Sequence, residues 1–177
     1  YVYSFPMNKQ RLRAGVIGAT GYTGRELVGL IERHPRIELA FATSESEVGR
    51  SAGRGVRYIA ASEAPLGDAD VVFSCLPTGE SGAWAWRAGE AGVAVVDLSG
   101  DLRGGESGAV YGLPELWRER VTGARLVANP GCYPTGALLA LAPAVSAELI
   151  DASRPVIIDA ASGVTGAGRS PRRGLLF

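Results

Sequence analysis

Short apolar runs alternate along the chain with segments of helical periodicity. Five runs of six to nine residues are rich in valine, isoleucine, leucine and alanine, and glycine, proline or polar residues bound them. Such runs are typical of strands that are buried on both faces. We predict strands over residues 12–19, 37–43, 69–77, 93–100 and 124–129, and helices over 24–34, 80–92 and 135–150. This α/β alternation indicates a parallel sheet with helices on both faces.

The rest of the chain is less regular. In the region 100–123 the sequence "YGLPEL" indicates an ordered loop, and "PVIIDAAS" at 155–162 predicts a last strand that runs into "SGVTGAGRSPRRG". We therefore expect a first domain over 7–150, and the start of a second, α+β catalytic domain over 151–177 that is cut short. A natural start at Met7 is expected, so that residues 1–6 are interpreted as an addition to the native sequence.

Composition excludes several classes of protein. The 177 residues are 46% hydrophobic and 20% charged, and 18 basic side chains balance 18 acidic ones. This balance argues against a nucleic-acid or membrane-surface partner, and no apolar run reaches the length of a membrane span. Two cysteines are too few for a disulfide framework, so a cytoplasmic protein is expected. No metal site is expected either.

The motif "GATGYTG", residues 18–24, stands between the first predicted strand and the first predicted helix. Glycines at such a turn allow the backbone to approach a pyrophosphate, whose charge is favoured at the helix N-terminus. The spacing G-x-x-G-x-x-G is not the commoner dinucleotide spacing, and a tight turn without a ligand is the alternative. We favour a Rossmann-type dinucleotide site.

The end of the second predicted strand bears on the choice between NAD and NADP. Thr43 and Ser44 are hydroxyl residues that suit a 2′-phosphate, as do Arg50 and Arg54 nearby in sequence, whereas Glu45 favours the ribose hydroxyls of NAD. The two arginines are equally well explained as solvated loop residues. The cluster as a whole favours NADP.

The sequence "NPGCYPTG" places Cys132 after a predicted strand and before a long helix. A helix N-terminus carries partial positive charge, which favours a thiolate nucleophile, and ligands of parallel sheets bind at the carboxyl ends of the strands. Pro130 and Pro134 stiffen the approach and start the helix. The alternative is a buried structural cysteine, which is the interpretation that we give to Cys75 in "FSCLP".

Five motifs in this order resemble the N-acetyl-gamma-glutamyl-phosphate reductase family of arginine biosynthesis: "GATGYTG", "DLSGDLR", "YGLPEL", "NPGCYPTG" and "SGVTGAGR". The resemblance extends from Arg13 to Arg169. The aminoadipyl-phosphate reductases of lysine biosynthesis share these motifs, and aspartate-semialdehyde dehydrogenase is similar more distantly.

This resemblance implies an NADP-dependent oxidoreductase that acts on a small acyl phosphate. Cys132 would displace phosphate and form a thioester, which NADPH reduces to the semialdehyde. Arg103 would bind the substrate phosphate, although an ion pair with Asp97 or Asp101 is an alternative. Asn129 would orient the acyl group, unless it is only a turn residue. The implied cofactor-binding residues are Gly18, Thr20, Gly21, Tyr22, Thr23, Gly24, Ser44, Cys75, Leu76, Pro77, Ser162 and Gly163.

Two features depart from the family pattern. Glu45 occupies a position where family members carry a basic residue, and the family's acid–base histidine is expected beyond residue 177. The only histidine, His34, falls at the end of the first predicted helix, where we expect no catalytic role. The resemblance also implies a homo-oligomer. The alternatives are the aminoadipyl-phosphate activity and a dinucleotide-binding fragment without turnover.

Overall fold

An eight-stranded sheet forms the centre of the computed structural model, which describes residues 11–105, 108–151 and 153–169. Its strands are β1 (Leu12–Ile17), β2 (Ile37–Thr43), β3 (Ser51–Gly53), β4 (Val56–Ile59), β5 (Val71–Ser74), β6 (Ala94–Asp97), β7 (Val110–Tyr111) and β8 (Leu126–Ala128). They lie in the order β3-β4-β2-β1-β5-β6-β8-β7. All neighbours are parallel except β3 and β4, which are antiparallel. Residues 1–6 lie outside the described residues.

Helices cover both faces of the sheet, as the alternating pattern predicts. Val28 and Ile31 of the first helix pack with Val16 of β1 on one face. Ala85 and Ala88 of the second helix pack on the other face. The helices of the described residues are α1 (Tyr22–Arg33), α2 (Ser81–Glu90), α3 (Pro114–Val121) and α4 (Cys132–Ser146), with 3₁₀ turns at Ala61–Glu63, Leu66–Asp68 and Val164–Ala167. None of these helices is long and apolar enough to cross a bilayer.

The centre of the sheet is packed so closely that one strand position requires glycine. A Cβ atom on Gly15 of β1 would lie 2.2 Å from the ring of Phe41 on β2. Phe41 therefore fills the space above Gly15 and joins the core cluster that contains Ile17 and Val72. This packing helps to stabilise the sheet, because a parallel sheet with helices on both faces removes apolar area from water on both sides.

Two details of the predicted helices were wrong. The spacing of Leu27, Leu30 and Ile31 predicts that they share the apolar face of this first helix, but Leu30 is 58% exposed and Val28 is buried. The helix α4 forms as predicted, but none of its residues is buried. Its apolar sequence does not contribute to the core that the described residues form.

Two predictions about the less regular segments were also wrong. The segment 100–123 holds β7 and α3 in addition to turns, because β7 pairs with the edge of β8 through Val110 and Tyr111. The strand predicted over 155–162 does not form. No strand of the described residues lies beside this segment, so its backbone lacks the partner that a strand requires, and Ile157 is 92% exposed.

The parallel strands bring five chain segments to one edge of the sheet. The carboxyl ends of β1, β2, β5, β6 and β8 all lie at this edge. The chain progresses from β1 to β2 on one side and to β5 on the other, so the crevice beside the end of β1 is a topological switch point. Open α/β sheets bind their ligands at such points.

Candidate functional site

An open cleft of about 950 Å³ lies at the carboxyl edge of the sheet. Its walls come from the glycine-rich loop after β1, the end of β2, the residues after β5 and β6, and the segment 165–169. The segment 165–169 lies far from the others in sequence. Predicted site residues that line the cleft are Gly18, Thr20, Gly21, Tyr22, Thr23, Ser44, Cys75, Leu76, Pro77 and Arg103.

The glycine-rich loop has the geometry that a dinucleotide phosphate requires. Gly18 has a φ of +76°, and a Cβ atom there would lie 3.1 Å from the backbone of Cys75. A Cβ atom on Gly24 would lie 2.5 Å from the carbonyl oxygen of Gly18. No side chain caps α1 at Gly21, and Tyr22 and Thr23 of its first turn line the cleft. The loop therefore presents a helix N-terminus to the cleft, and this arrangement fits a pyrophosphate.

Hydroxyl groups tie the glycine-rich loop to the end of β2. The Gly18 N–H donates to Thr43 Oγ1 at 3.1 Å, and Thr20 Oγ1 lies 3.1 Å from Ser44 Oγ. Thr43 and Ser44 are both buried. Ser44 Oγ also accepts the backbone N–H of Glu47 at 3.1 Å. These contacts hold the glycine-rich loop against the end of β2, which is the position where Rossmann-type sheets bind the adenosine ribose of a dinucleotide.

The charged residues after β2 do not lie where sequence proximity suggested. Arg50 and Arg54 are absent from the walls of the cleft in the described residues, and Arg54 lines a separate, smaller cavity. Glu45 lines the cleft, but its Oε1 accepts the backbone N–H of Ala61 at 2.9 Å. The Glu45 carboxylate is thereby held at the start of a 3₁₀ turn.

A buried polar cluster organises the loop after β6. The Asp97 carboxylate is inaccessible to solvent and accepts hydrogen bonds from Ser81 Oγ, Ser99 N and Ser99 Oγ. Ser81, the first residue of α2, also bonds to the hydroxyl of Ser74 at the end of β5. The cluster links two strand ends to the start of α2, and it satisfies the groups that it buries.

Arg103 connects the cleft to the loop that carries Cys132. Its Nε donates to the carbonyl oxygen of Asn129 at 2.9 Å, and its Nη2 donates to that of Leu98 at 3.1 Å. A Cβ atom on Gly131 would lie 3.1 Å from Arg103 Nη1. The described structure gives no ion pair of Arg103 with Asp97 or Asp101, whose carboxylates bond to other groups.

Cys132 is exposed and is the first residue of α4. Gly131 is the N-cap, and its carbonyl oxygen accepts both the N–H and the hydroxyl of Thr135. Asn129 joins the end of β6 through its N–H, which donates to Asp97 O, and its side-chain amide donates to Pro130 O. The strand-to-helix position predicted for the thiol is thus the observed one.

Cys75 differs from Cys132 in its surroundings. It is half-buried after β5, beside the glycine-rich loop. Burial raises the pKa of the Cys75 thiol to about 12, and the charge of Asp97 adds to the rise. A thiol with so high a pKa is protonated, and therefore unreactive, at neutral pH.

We expect iodoacetamide at neutral pH to alkylate Cys132 well before Cys75. Cys132 is open to solvent at a helix N-terminus, whereas Cys75 is shielded and protonated. Peptide mass mapping over time measures both rates. In denaturant the two rates should converge, which is the control, and faster labelling of Cys75 in the folded protein would contradict the assignment.

The motif "SGVTGAGR", residues 162–169, lines the cleft, but with other residues than the predicted ones. Ser162 and Gly163 precede the 3₁₀ turn Val164–Ala167 and do not line the cleft, whereas Thr165 and Gly166 within that turn do. The resemblance pointed to this motif but not to the residues of it that reach the cleft.

His34 lies far from this edge of the sheet. It follows the last residue of α1, and its Nδ1 accepts the backbone N–H of Arg36 at 3.1 Å. Because α1 starts at the cleft, its carboxyl end points away from it. That His34 has no catalytic role stays a prediction.

Comparison with known families gives two matches along the chain. Residues 13–124 match the family model described as semialdehyde dehydrogenase, NAD binding domain. The chain belongs to the semialdehyde dehydrogenase family. Residues 132–177 match that family's dimerisation domain, so the second match begins at Cys132.

Individual members of the semialdehyde dehydrogenase family agree with this membership. N-acetyl-gamma-glutamyl-phosphate reductase of Dehalococcoides mccartyi is 40% identical over 95% of this chain and 55% of its own length. The protein of the same name from Neisseria gonorrhoeae is 43% identical over 95% and 56%. Aspartate semialdehyde dehydrogenase II from Vibrio cholerae, a solved structure, has a TM-score of 0.69 and 29% identity over 78% of this chain and 47% of that chain.

These findings confirm the Rossmann-type fold, the dinucleotide-binding domain and the resemblance to the reductases. The chain spans about half the length of the curated relatives that it matches. The boundary near residue 150 and the roles of individual site residues stay predictions.

Proposed function

We propose that the natural protein is an NADPH-dependent N-acetyl-gamma-glutamyl-phosphate reductase that works through a thioester on Cys132. One observation carries the proposal. An exposed cysteine begins α4 at the carboxyl edge of the sheet, in a chain that is 40% identical over 95% of its length to a reductase of that name. The dinucleotide cleft lies at the same edge.

The chemistry begins at the Cys132 sulfur. The thiolate attacks the carbonyl carbon of the acyl phosphate, the bond between that carbon and the bridging phosphate oxygen breaks, and inorganic phosphate leaves with the bonding electrons. The product of this step is a thioester on Cys132. When bound, NADPH supplies the hydride that reduces this thioester, and the resulting thiohemiacetal releases the semialdehyde and regenerates the thiolate.

The chain's own residues position the reacting groups. Arg103 fixes the carbonyl groups of Leu98 and Asn129, and its Nη1 faces Gly131, next to Cys132. We assign its remaining N–H groups to the substrate phosphate, because a guanidinium binds phosphate oxygens in a defined direction. Asn129 is assigned to the acyl group. Asn129 precedes Cys132 by three residues, and its side-chain amide donates to the carbonyl oxygen of Pro130.

The assembly and the location belong to the same proposal. We assign the protein to a homo-oligomer, because residues 132–177 match a dimerisation domain and α4, which begins that match, buries none of its side chains among the described residues. We assign the protein to the cytoplasm, because both cysteines are free and because the chain is similar to reductases of amino-acid biosynthesis.

The test is turnover by the full-length protein with two acyl phosphates, N-acetyl-glutamyl phosphate and the longer N-acetyl-aminoadipyl phosphate. We expect the glutamyl substrate to give the higher kcat/KM, with NADPH consumed and phosphate released in equal amounts. A higher kcat/KM for the aminoadipyl substrate would assign the protein to the lysine-pathway counterpart instead. Dinucleotide binding without turnover of either substrate would contradict the enzymatic assignment.

A further inference from the structure

Two arginines that lie far apart in sequence converge on one carboxylate beside the cleft. Arg25 Nη2 lies 2.8 Å from Glu47 Oε1, and Arg169 Nη1 lies 3.7 Å from the same oxygen. Both guanidinium groups also donate to the carbonyl oxygen of Thr20, Arg25 through Nε at 3.1 Å and Arg169 through Nη1 at 3.2 Å. The first 50 residues and the last described residue, Arg169, therefore meet at this point.

The exposure of the three side chains is unequal. The Glu47 side chain is 17% exposed, whereas those of Arg25 and Arg169 are 51% and 54% exposed. The carboxylate is thus the inner member, and the guanidinium groups keep faces open to solvent. One negative charge is surrounded by two positive charges, so the group carries a net charge of about +1 beside the cleft.

Hydroxyl groups adjoin this arginine pair. Thr20, Ser44 and Ser46 line the cleft, and their hydroxyl oxygens form a chain with separations of 3.1 and 3.4 Å around Ser44. Hydroxyl donors together with guanidinium groups are the usual ligands of a phosphate monoester. This grouping follows the end of β2, where Rossmann-type sheets bind the adenosine ribose.

The acidic side chains that would favour NAD are both engaged. A carboxylate selects NAD by accepting the ribose hydroxyls and repelling a 2′-phosphate. Glu45 accepts the Ala61 N–H, and Glu47 is neutralised by the arginine pair. The sequence alone left Glu45 as an argument for NAD, and in the structure one oxygen of its carboxylate is occupied by the Ala61 N–H.

We infer that Arg25 and Arg169, gathered by Glu47, form the subsite for the 2′-phosphate of NADPH. This inference rests on the proposed use of NADPH and names the residues responsible for it. Arg169 lines the cleft itself, whereas Arg25 and Glu47 lie next to the cleft-lining residues, and Arg25 is joined to Arg169 through the Glu47 oxygen that both contact. Arg50 and Arg54, the arginines nearest in sequence to the end of β2, have no part in it.

The test measures binding rather than turnover. Dissociation constants for NADPH and NADH are determined by calorimetry on the full-length protein and on its Arg25→Gln, Arg169→Gln and Arg50→Gln variants. We expect each of the first two changes to weaken NADPH about tenfold and to leave NADH nearly unchanged, because a charged hydrogen bond to the 2′-phosphate is lost. Arg50→Gln is the matched control, and its NADPH affinity should stay at the wild-type value.

Two further measurements make the result specific. 2′-AMP should compete with NADPH in the wild type but far more weakly in the Arg169→Gln variant, whereas 5′-AMP should compete equally in both. Arg169→Lys, which keeps the charge, should recover part of the loss. Thermal melting of each variant confirms that it is folded.

The failures of the two proposals are distinguishable. A wild-type preference for NADPH that survives both arginine substitutions would overturn the subsite and leave the proposed function intact. Equal weakening of NADPH and NADH would place the arginines at the pyrophosphate and would also overturn it. A wild type without preference for NADPH would contradict the cofactor assignment itself.

Discussion

Replacing Cys132 with alanine in the full-length protein is expected to lower semialdehyde formation by at least about a thousandfold, because thioester formation needs a reactive thiolate and Cys75, the other cysteine of this chain, is shielded and protonated at neutral pH. The residual rate is measured by the release of phosphate and by the oxidation of NADPH. The Cys132→Ser variant should be nearly as inactive, since a serine hydroxyl at neutral pH is a much weaker nucleophile than a thiolate.

Cofactor binding provides the control for this loss. Cys132 does not line the dinucleotide cleft, so the alanine variant should bind NADPH with wild-type affinity and melt at the wild-type temperature. Mass spectrometry of the wild type mixed with acyl phosphate alone should detect an acyl group on Cys132. Turnover by the alanine variant within tenfold of the wild type would rule out the covalent mechanism.

The substitution Gly24→Ala should destabilise the dinucleotide-binding domain by about 3 kcal/mol. The added Cβ would lie 2.5 Å from Gly18 O and 2.7 Å from Ala19 Cα, and neither backbone atom can move without opening the turn that joins β1 to α1. Because this turn shapes the phosphate site, NADPH affinity should fall together with stability. Thermal melting and calorimetric titration measure the two effects.

Gly29→Ala in the same helix is the matched control. Apart from the backbone of its own helix, the nearest neighbour of its Cβ would be the guanidinium end of the flexible Arg33 side chain, at 3.5 Å. Alanine is favoured over glycine in a helix by about 1 kcal/mol, so this variant should melt slightly above the wild type. Similar melting temperatures for the two variants would show that the turn tolerates a side chain and would contradict the packing argument.

The strands of the central sheet were predictable because their apolar runs are buried on both faces. Residues such as Val16, Val72 and Val95 lie in uninterrupted apolar runs, and all three are core residues. The hairpin of β3 and β4 was not predicted. Its strands are only three and four residues long, so the alternation of Val56, Arg57 and Tyr58 is too short to indicate a strand.

The parts of the site that depend on local sequence were also predictable. The glycine-rich loop and the cysteine at a helix start follow from a few adjacent residues. The contact of Arg169 with Thr20 spans 149 positions, and nothing near either residue in sequence indicates the other. Only the fold brings the last motif onto the first, which is why the arginines nearest to β2 were the wrong candidates for the cleft.

The hydrogen bonds of Arg103 do not depend on the side chains of the residues that accept them. Both of its acceptors are main-chain carbonyl oxygens, those of Leu98 and Asn129. Every amino acid supplies the same carbonyl group, so a new side chain at 98 or 129 needs no compensating change at 103 to keep these two hydrogen bonds. Methods that infer proximity from positions that change together in related proteins therefore receive no signal from this link between the cleft and the cysteine loop.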